Sequence, residues 1–283
     1  MKTTNFKRKA DAFLGAAVVL LAAVFTVGCK AETSGEDKRE ECSKEYVTVE
    51  FSKLGDYLKD KASSTCVNHI TVTGLAASDL LGKLSPTEEA SPLGKVLKEN
   101  HTKKVALKFG GDIAGLTSMK CCFYGCTNLV QAPAIPEGVT NLTGAFTFTA
   151  ITAAPALPNS VTIMSACFGR CASLVEAPAI PENVKNMSFC FKGCVSLTKA
   201  PVIPASITNL KECFALCEKI TEVVLKCNYN PAQINEKPAF ADVFRGCYGL
   251  TAGSIKVPTA QLQTYKDNAA TMYAQKDWFA ADM

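Results

Sequence analysis

The apolar positions in the second half of this chain repeat with a period of about 23 residues. A Cys-Phe-x-x-Cys-x-x-Leu pattern returns in register, and its phenylalanines stand 23, 22, 23, 23 and then 30 residues apart, at Phe123, Phe146, Phe168, Phe191, Phe214 and Phe244. Other columns keep the same step, including the prolines Pro133, Pro155, Pro178 and Pro201. Composition bias does not produce several columns in one register, so the chain contains an internal repeat.

A unit of this size cannot bury its own apolar face, and neighbouring units must stack to form a core. Leu129 and Ala132 mark the inward positions of a short strand, and the Val-x-x-Leu-x-x-x-Phe spacing that follows suits a short helical return. Each proline lacks the N–H that a strand ladder needs, so the strands must be short. The pattern therefore predicts an α/β repeat solenoid with short parallel strands and short helical returns, capped at both ends.

The region before the repeats has a βα pattern of its own. We predict strands at residues 46–51 and 70–73, a helix at 91–99, and a strand in which Val105, Leu107 and Phe109 alternate inward. We interpret residues 45–111 as an N-terminal capping region, residues 112–226 as the repeats, and residues 227–283 as an insertion, a last repeat and a C-terminal cap. A helix is expected near residues 261–273.

The first residues are typical of an export signal. A basic start precedes the uncharged apolar stretch 13–27, which is short for a membrane span but suits the core of a signal peptide. The Thr26-Val27-Gly28-Cys29 sequence resembles a bacterial lipobox, although Thr26 stands where leucine is usual. We expect a lipoprotein signal peptide at 1–29, a lipid on Cys29 and a disordered tether at 30–44; a plain secretory peptide or an uncleaved anchor is the alternative.

Net charge changes once the leader is removed. The leader holds four of the 30 basic and one of the 26 acidic residues, which leaves a mature charge near +1. Such a charge offers no field for nucleic acid or for an anionic membrane. Membrane attachment is therefore expected through the lipid on Cys29, and no nucleic-acid partner is expected.

The repeat resembles a known family. The pattern Ala/Cys-Phe-x-Gly-Cys-x-x-Leu followed by Ile-Pro-x-x-Val is similar to the BspA-like leucine-rich repeats of bacterial surface proteins, in particular treponemal ones, over roughly residues 110–283. Cysteine replaces the usual alanine before phenylalanine, and the Ala-Pro-x-Ile-Pro run has one extra residue. The resemblance implies a cell-surface or outer-membrane protein that adheres to host matrix proteins or to other bacteria.

Solenoids usually bind through their concave face. The position two after each repeat leucine points outward and varies while the core columns do not; we call it the outward strip, and it consists of Gln131, Ala153, Glu176, Lys199 and Glu222. We expect proteins to bind there. Two alternatives stay open: outward positions vary wherever nothing packs on them, and a periplasm-facing lipoprotein with a structural or assembly role would have the same repeats.

Fourteen cysteines are many for a cytosolic protein and permissible for an exported one. Buried packing, disulfides and metal binding compete to explain them. We call each repeat unit a coil. The coil around Phe146 lacks both cysteines together, as pairing within a coil predicts, and residues four apart on a helical turn are within disulfide range. The predicted bridges are Cys122–Cys126, Cys167–Cys171, Cys190–Cys194 and Cys213–Cys217, with packed reduced thiols as the alternative. Cys42–Cys66 and Cys227–Cys247 are two further predicted pairs. No metal site is expected, because cysteines spread along successive repeats do not converge on one metal ion.

No pattern of catalytic residues stands out. The only two histidines, His69 and His101, precede the repeats and belong to no metal-binding or nucleophile-activating motif. No glycine-rich phosphate loop is present, since Gly110-Gly111 is a turn after a strand. The sequence therefore predicts a binding protein that is not an enzyme and that holds no cofactor.

Overall fold

The computed structural model describes residues 42–84, 89–234 and 236–282. The predicted signal peptide, Cys29 and residues 30–41 of the predicted tether lie outside the described residues. From Cys42 onward the chain forms one compact unit. Its buried residues form a single cluster that reaches from Val49 near the start to Phe279 near the end.

A four-stranded parallel sheet with two helices forms the N-terminal part. Its strands follow in sequence order as β1 (Val47–Glu50), β2 (Asn68–Thr73), β3 (Val105–Phe109) and β4 (Leu129–Gln131). The helices are α1 (Leu54–Asp60), after β1, and α2 (Pro92–Glu99), after β2. The predicted strands and α2 are present, whereas α1 was not predicted. In β3 the predicted alternation is incomplete, because Ala106 is buried as well as Val105 and Leu107.

Helix α2 starts where its capping residues place it. The Ser91 hydroxyl accepts a hydrogen bond from the Gly94 N–H at 3.1 Å, and Pro92 occupies the first turn, where no N–H partner is needed. Leu93 and Leu97 are fully buried. Gly94 lies so close to the first repeat that an added Cβ would stand 2.3 Å from the Cys122 carbonyl oxygen.

In the repeats, turns replace the predicted helical returns. The Cys167 N–H bonds the Met164 carbonyl three residues back at 3.1 Å, but the next N–H, that of Phe168, bonds the Cys190 carbonyl of the following repeat at 2.9 Å. Ala166 and Arg170 on either side have left-handed φ angles of 53° and 56°. A helix needs consecutive right-handed residues with internal bonds. The prediction of short helical returns is therefore wrong for these segments.

Parallel pairing between repeats is reduced to single residues. One line of bridges joins Ser118, Asn141, Ile163, Asn186 and Asn209, and a second joins Ala153, Glu176 and Lys199. The proline column begins two residues after the second line, and proline has no N–H to continue a ladder. The strands are as short as the prolines predict.

Stacked phenylalanines run through the centre of the repeats. Successive ring centroids are 5.6–6.3 Å apart with interplanar angles of 2–21°. The six rings are all buried: Phe123, Phe146, Phe168, Phe191, Phe214 and Phe244. Offset aromatic stacking of this kind adds to the burial of apolar area, so the column seen in the sequence is the core of the stack.

The C-terminal part has three parallel strands and a hairpin. The strands are β5 (Val223–Val224), β6 (Gln233–Ile234), β7 (Lys237–Pro238), β8 (Ile255–Pro258) and β9 (Phe279–Asp282). The parallel strands follow in the order β5-β8-β9. The antiparallel pair β6-β7 lies within the 30-residue step between Phe214 and Phe244. The helix expected at 261–273 is interrupted: α3 (Leu262–Asp267) is followed by a 3₁₀ turn at Ala269–Met272. Strand β9 was not predicted.

Candidate protein-binding face

The outward strip is exposed along its whole length. All five side chains are solvent-exposed, and so are their neighbours Ala134, Ala156, Ala179 and Val202. Ala153, Glu176 and Lys199 are directly joined by parallel bridges, which place equivalent residues of adjacent repeats side by side. Gln131 ends β4, and Glu222 directly precedes β5. The repeat period therefore brings these positions onto one surface.

The sheet register extends this surface into the N-terminal region. Gln131 pairs with Ala106 of β3, and Ala106 pairs with His69 of β2. Tyr46 directly precedes β1, and its ring lies 5.2 Å from that of His69 in an edge-on arrangement. The Gln131 side-chain amide donates a hydrogen bond to the Tyr46 hydroxyl at 2.9 Å. Tyr46 and His69 therefore belong to the same face as Gln131.

Two shallow cavities flank Gln131 on this face. One, of about 470 Å³, is lined by His69, Gln131 and Ala153 among others. The second, also about 470 Å³, is lined by Lys108, Gln131 and Ala134 among others. The Lys108 ammonium stands 3.8 Å from the centre of the Tyr46 ring, a cation–π contact. His69 Nδ1 is buried without a hydrogen-bond partner among the described residues.

The charges of the outward strip are available to a partner. Glu176, Lys199 and Glu222 form no ion pair within the described part of the chain, where six ion pairs occur at other positions. Their signs alternate along the strip. The face thus combines an aromatic cluster at one end with alternating charges at the other.

Sequence reasoning missed Tyr46, His69 and Lys108 as members of this face. At the sequence level His69 is a candidate only for catalysis, and no motif supports that role. These residues lie outside the repeat period, and only the pairing of β1, β2 and β3 with β4 brings them to the strip. Counting outward positions across the predicted strand 46–51 would have found Tyr46, whereas His69 lies one residue before the predicted strand 70–73 and inside the observed strand β2.

The repeat cysteines are buried thiols in the structure, in place of the four bridges predicted within coils. None of the eight forms a disulfide: Cys122, Cys126, Cys167, Cys171, Cys190, Cys194, Cys213 and Cys217. The thiol of the second cysteine in a coil donates a hydrogen bond to the preceding coil. The Cys194 thiol donates to the Phe168 carbonyl at 3.1 Å, and the Cys217 thiol donates to the Phe191 carbonyl at 3.0 Å. Cys171 makes the same bond to Phe146 at 3.0 Å.

Burial also holds these thiols in the protonated form. It raises the pKa of Cys171 to about 11 and that of Cys126 to about 12, and it raises the pKa of Cys194 and Cys217 well above the ordinary range. Disulfide formation proceeds through the thiolate. Protonated, hydrogen-bonded thiols are therefore poorly placed to oxidise.

The coil that lacks both cysteines has a different hydrogen bond at the second position. Thr149 takes the place of the second cysteine, but its hydroxyl donates to the Phe146 carbonyl of its own coil at 2.9 Å. The same hydroxyl lies 3.3 Å from the Cys171 sulfur. Ala145 fills the first position and is fully buried. Joint loss of the two cysteines therefore does not require that they pair.

The two further predicted disulfides, Cys42–Cys66 and Cys227–Cys247, have different outcomes. Cys42 and Cys66 form a disulfide with their Cα atoms 5.5 Å apart, which attaches the end of the predicted tether to the segment before β2. Cys227 and Cys247 are not bonded to each other. The Cys247 thiol donates to the Phe214 carbonyl at 3.0 Å, as its repeat position dictates, and Cys227 lies beside the Tyr265 hydroxyl at 3.7 Å.

Within the described ranges, no group of three or more His, Cys, Asp or Glu side chains comes together as a metal site. No helix in the same ranges has the length and hydropathy to cross a membrane. The absence of enzymatic activity stays a prediction.

The fold and the repeat define a leucine-rich-repeat protein. The model of the BspA type leucine-rich repeat region matches the chain in six copies, over residues 116–220 and 143–268. These matches span more than half of the chain, and the chain belongs to this family. Comparison with curated proteins and with solved structures finds no match.

Proposed function

We propose that this chain is a lipid-anchored protein of the bacterial envelope, of the treponemal type, that binds host or bacterial proteins and thereby mediates adhesion. Its repeats form a capped solenoid, which the N-terminal βα units and the β8-α3-β9 segment close. A lipid on Cys29 anchors it in the outer membrane or at the cell surface. Leucine-rich repeats in general bind proteins, which supports the first part of this proposal.

The observation that carries the proposal is the row of positions that runs from the half-buried Tyr46 to Gln131 and continues, with exposed side chains, to Glu222. Tyrosine is enriched among residues that dominate binding energy at protein interfaces. Unpaired charges of alternating sign favour a partner with complementary charges and speed its association. We therefore expect the Tyr46 end to hold the partner and the charged end to orient it.

Binding of the mature chain to immobilised fibronectin and laminin, measured by surface plasmon resonance, tests the adhesive role. We expect Tyr46→Ala to weaken binding by about thirtyfold, as for an aromatic residue that dominates the binding energy, and Lys199→Glu by less than about tenfold. Lys185→Glu is the matched control, because Lys185 is exposed and lies outside the outward strip. Equal effects of Lys199→Glu and Lys185→Glu would contradict binding through the strip.

Protease shaving of intact cells, with a known periplasmic protein as control, tests the location. Loss of the repeats while the control survives is the result expected for a surface adhesin. Protection until the outer membrane is broken would instead support the periplasm-facing structural role.

A further inference from the structure

A groove lies on the turn segments of the repeats, apart from the outward strip. It encloses about 480 Å³, within the usual size of small-ligand sites. We call it the turn groove and define it by Tyr124, Thr147, Phe148, Ser165, Arg170 and Phe189, all of which line it. No residue of the outward strip contributes to it, so its ligand is independent of the function proposed above.

Aromatic rings and cations dominate the groove. The Tyr124 ring stands 5.7 Å from the Phe148 ring, edge-on. The Arg170 guanidinium lies 5.5 Å from the centre of Phe148, and the Lys192 ammonium lies 5.3 Å from the centre of Phe189. These contacts hold the cations beside apolar surface.

The groove is complementary to an anion. None of the described residues that line it is Asp or Glu. Lys192 is already paired with Glu212 at 2.6 Å, but Arg170 has no ion pair with any described residue. A guanidinium in a partly apolar groove pairs well with a carboxylate, because two parallel hydrogen bonds form.

Two threonine hydroxyls of the groove are set to accept hydrogen bonds. The Thr147 hydroxyl donates to the Ala166 carbonyl at 2.5 Å, and the Thr143 hydroxyl donates to the Asn141 side-chain oxygen at 2.7 Å. Each hydroxyl has one hydrogen, so both oxygens keep only lone pairs for a ligand. A ligand with its own hydroxyl donors satisfies them, whereas a fatty acid or an aromatic carboxylate does not.

The backbone under the groove carries side chains where other repeats have glycine. Phe148 and Arg170 have left-handed φ angles of 61° and 56°, and the equivalent residues of other repeats include Gly125, Gly193 and Gly246. Glycine adopts this conformation without the steric cost that a Cβ brings. The glycines at this position in other repeats indicate that the fold does not require either side chain.

We propose that the turn groove binds a carboxylate-bearing sugar residue of the hexuronate class. Arg170 pairs with the carboxylate, the threonine hydroxyls accept from the sugar hydroxyls, and the rings of Phe148 and Phe189 pack against the apolar face of the sugar. A hexuronate supplies an anion, hydroxyl donors and an apolar face together, whereas a neutral sugar lacks the anion and a fatty acid lacks the hydroxyls.

The test measures binding of the glucuronate-containing hyaluronan disaccharide to the mature chain by ligand-observed NMR and by titration. The carboxyl methyl ester of the same disaccharide is the matched ligand, since it lacks only the charge. We expect the acid to bind about tenfold more tightly than the ester, as for one charge-assisted contact. Equal binding of acid and ester, or no saturation transfer to the acid, would overturn the proposal.

Glycine substitutions separate binding from folding. Arg170→Gly and Phe148→Gly each install the residue that other repeats have, so the melting temperature should not fall, while affinity for the acid should fall about tenfold. Leu216→Gly is the matched control, because Leu216 has φ 64° in the same column and does not line the groove. Unchanged affinity in Arg170→Gly, or octanoate bound as tightly as the disaccharide, would refute the sugar assignment.

Discussion

The N-terminal sheet and the repeats bury one continuous core by different means. In the first region, strands of three to six residues share ladder hydrogen bonds, and the backbone groups of helices α1 and α2 bond within each helix. In the repeats the parallel pairing shrinks to single bridges, and turn N–H groups donate to the next coil. The comparison teaches that a coil without regular secondary structure is ordered when its neighbours supply its hydrogen bonds.

Helix α2 shows how the two regions meet, because it acts as the coil that precedes the first repeat. The Cys126 thiol donates to the Gly94 carbonyl at 3.3 Å, where later coils use a phenylalanine carbonyl. The Asn128 amide donates to the Leu97 carbonyl at 2.9 Å and to the Asn100 carbonyl at 3.1 Å. Backbone carbonyls of α2 and of Asn100 just after it thus accept the hydrogen bonds that carbonyls of a preceding coil would accept.

The largest effect is expected for Phe168→Ala at the centre of the phenylalanine column. Loss of a fully buried aromatic ring should lower the free energy of unfolding by about 3–5 kcal/mol. Urea denaturation measures it, and Tyr248→Ala, at an 80% exposed tyrosine, should change stability by less than about 0.5 kcal/mol. A loss below about 1 kcal/mol would show that the repeats do not depend on this column.

A smaller loss is expected for Gly94→Ala, which tests the junction of the two regions. Alanine favours a helix over glycine by about 1 kcal/mol, but the new methyl group would meet the Cys122 carbonyl at 2.3 Å. We expect a net destabilisation of about 1–3 kcal/mol in thermal or urea unfolding.

Gly55→Ala in α1 is the control for that prediction. A Cβ at Gly55 meets nothing closer than 4.0 Å, so alanine should stabilise the protein by up to about 1 kcal/mol. If both substitutions stabilise, α2 does not pack on the first repeat as the structure has it.

The smallest effect is expected for the thiol column. Cys194→Ala removes the donor to the Phe168 carbonyl and should cost about 1 kcal/mol, whereas Cys194→Ser keeps a donor and should cost less. Equal losses in the two variants would assign the cost to the sulfur's volume and not to its hydrogen bond.

Mass spectrometry of the alkylated chain tests the redox state directly. After denaturation without reductant, the eight repeat cysteines should all be alkylated, and Cys42 and Cys66 should be alkylated only after reduction. Resistance of the repeat cysteines until reduction would restore the bridges predicted within coils.

Much of the fold follows from periodicity, and what does not follow depends on contacts between repeats. The columns predicted the stacking, and the prolines predicted short strands. The helical returns were wrong because the Val-x-x-Leu-x-x-x-Phe spacing does not reveal that the Phe168 N–H has its partner in the next coil. The predicted disulfides within coils are absent for a similar reason. The thiol of the second cysteine in a coil already donates a hydrogen bond to a carbonyl of the preceding coil.

The candidate face was predicted in part. The five residues of the outward strip follow from the repeat period, and the structure leaves all of them exposed. Tyr46 and Lys108 could not follow from that period, because they come from segments that match no repeat. Protein binding by the strip stays a prediction, which the Lys199→Glu and Lys185→Glu pair tests.

The step of 22 or 23 residues between Phe123 and Phe214 has a genetic consequence. Each coil meets its neighbours through the same columns, so removal or duplication of one whole step leaves the core in register. An in-frame deletion or duplication of the DNA that encodes one step removes or adds one whole coil. A lineage that carries this gene can therefore lengthen or shorten the exposed face in increments of about 5 Å per coil.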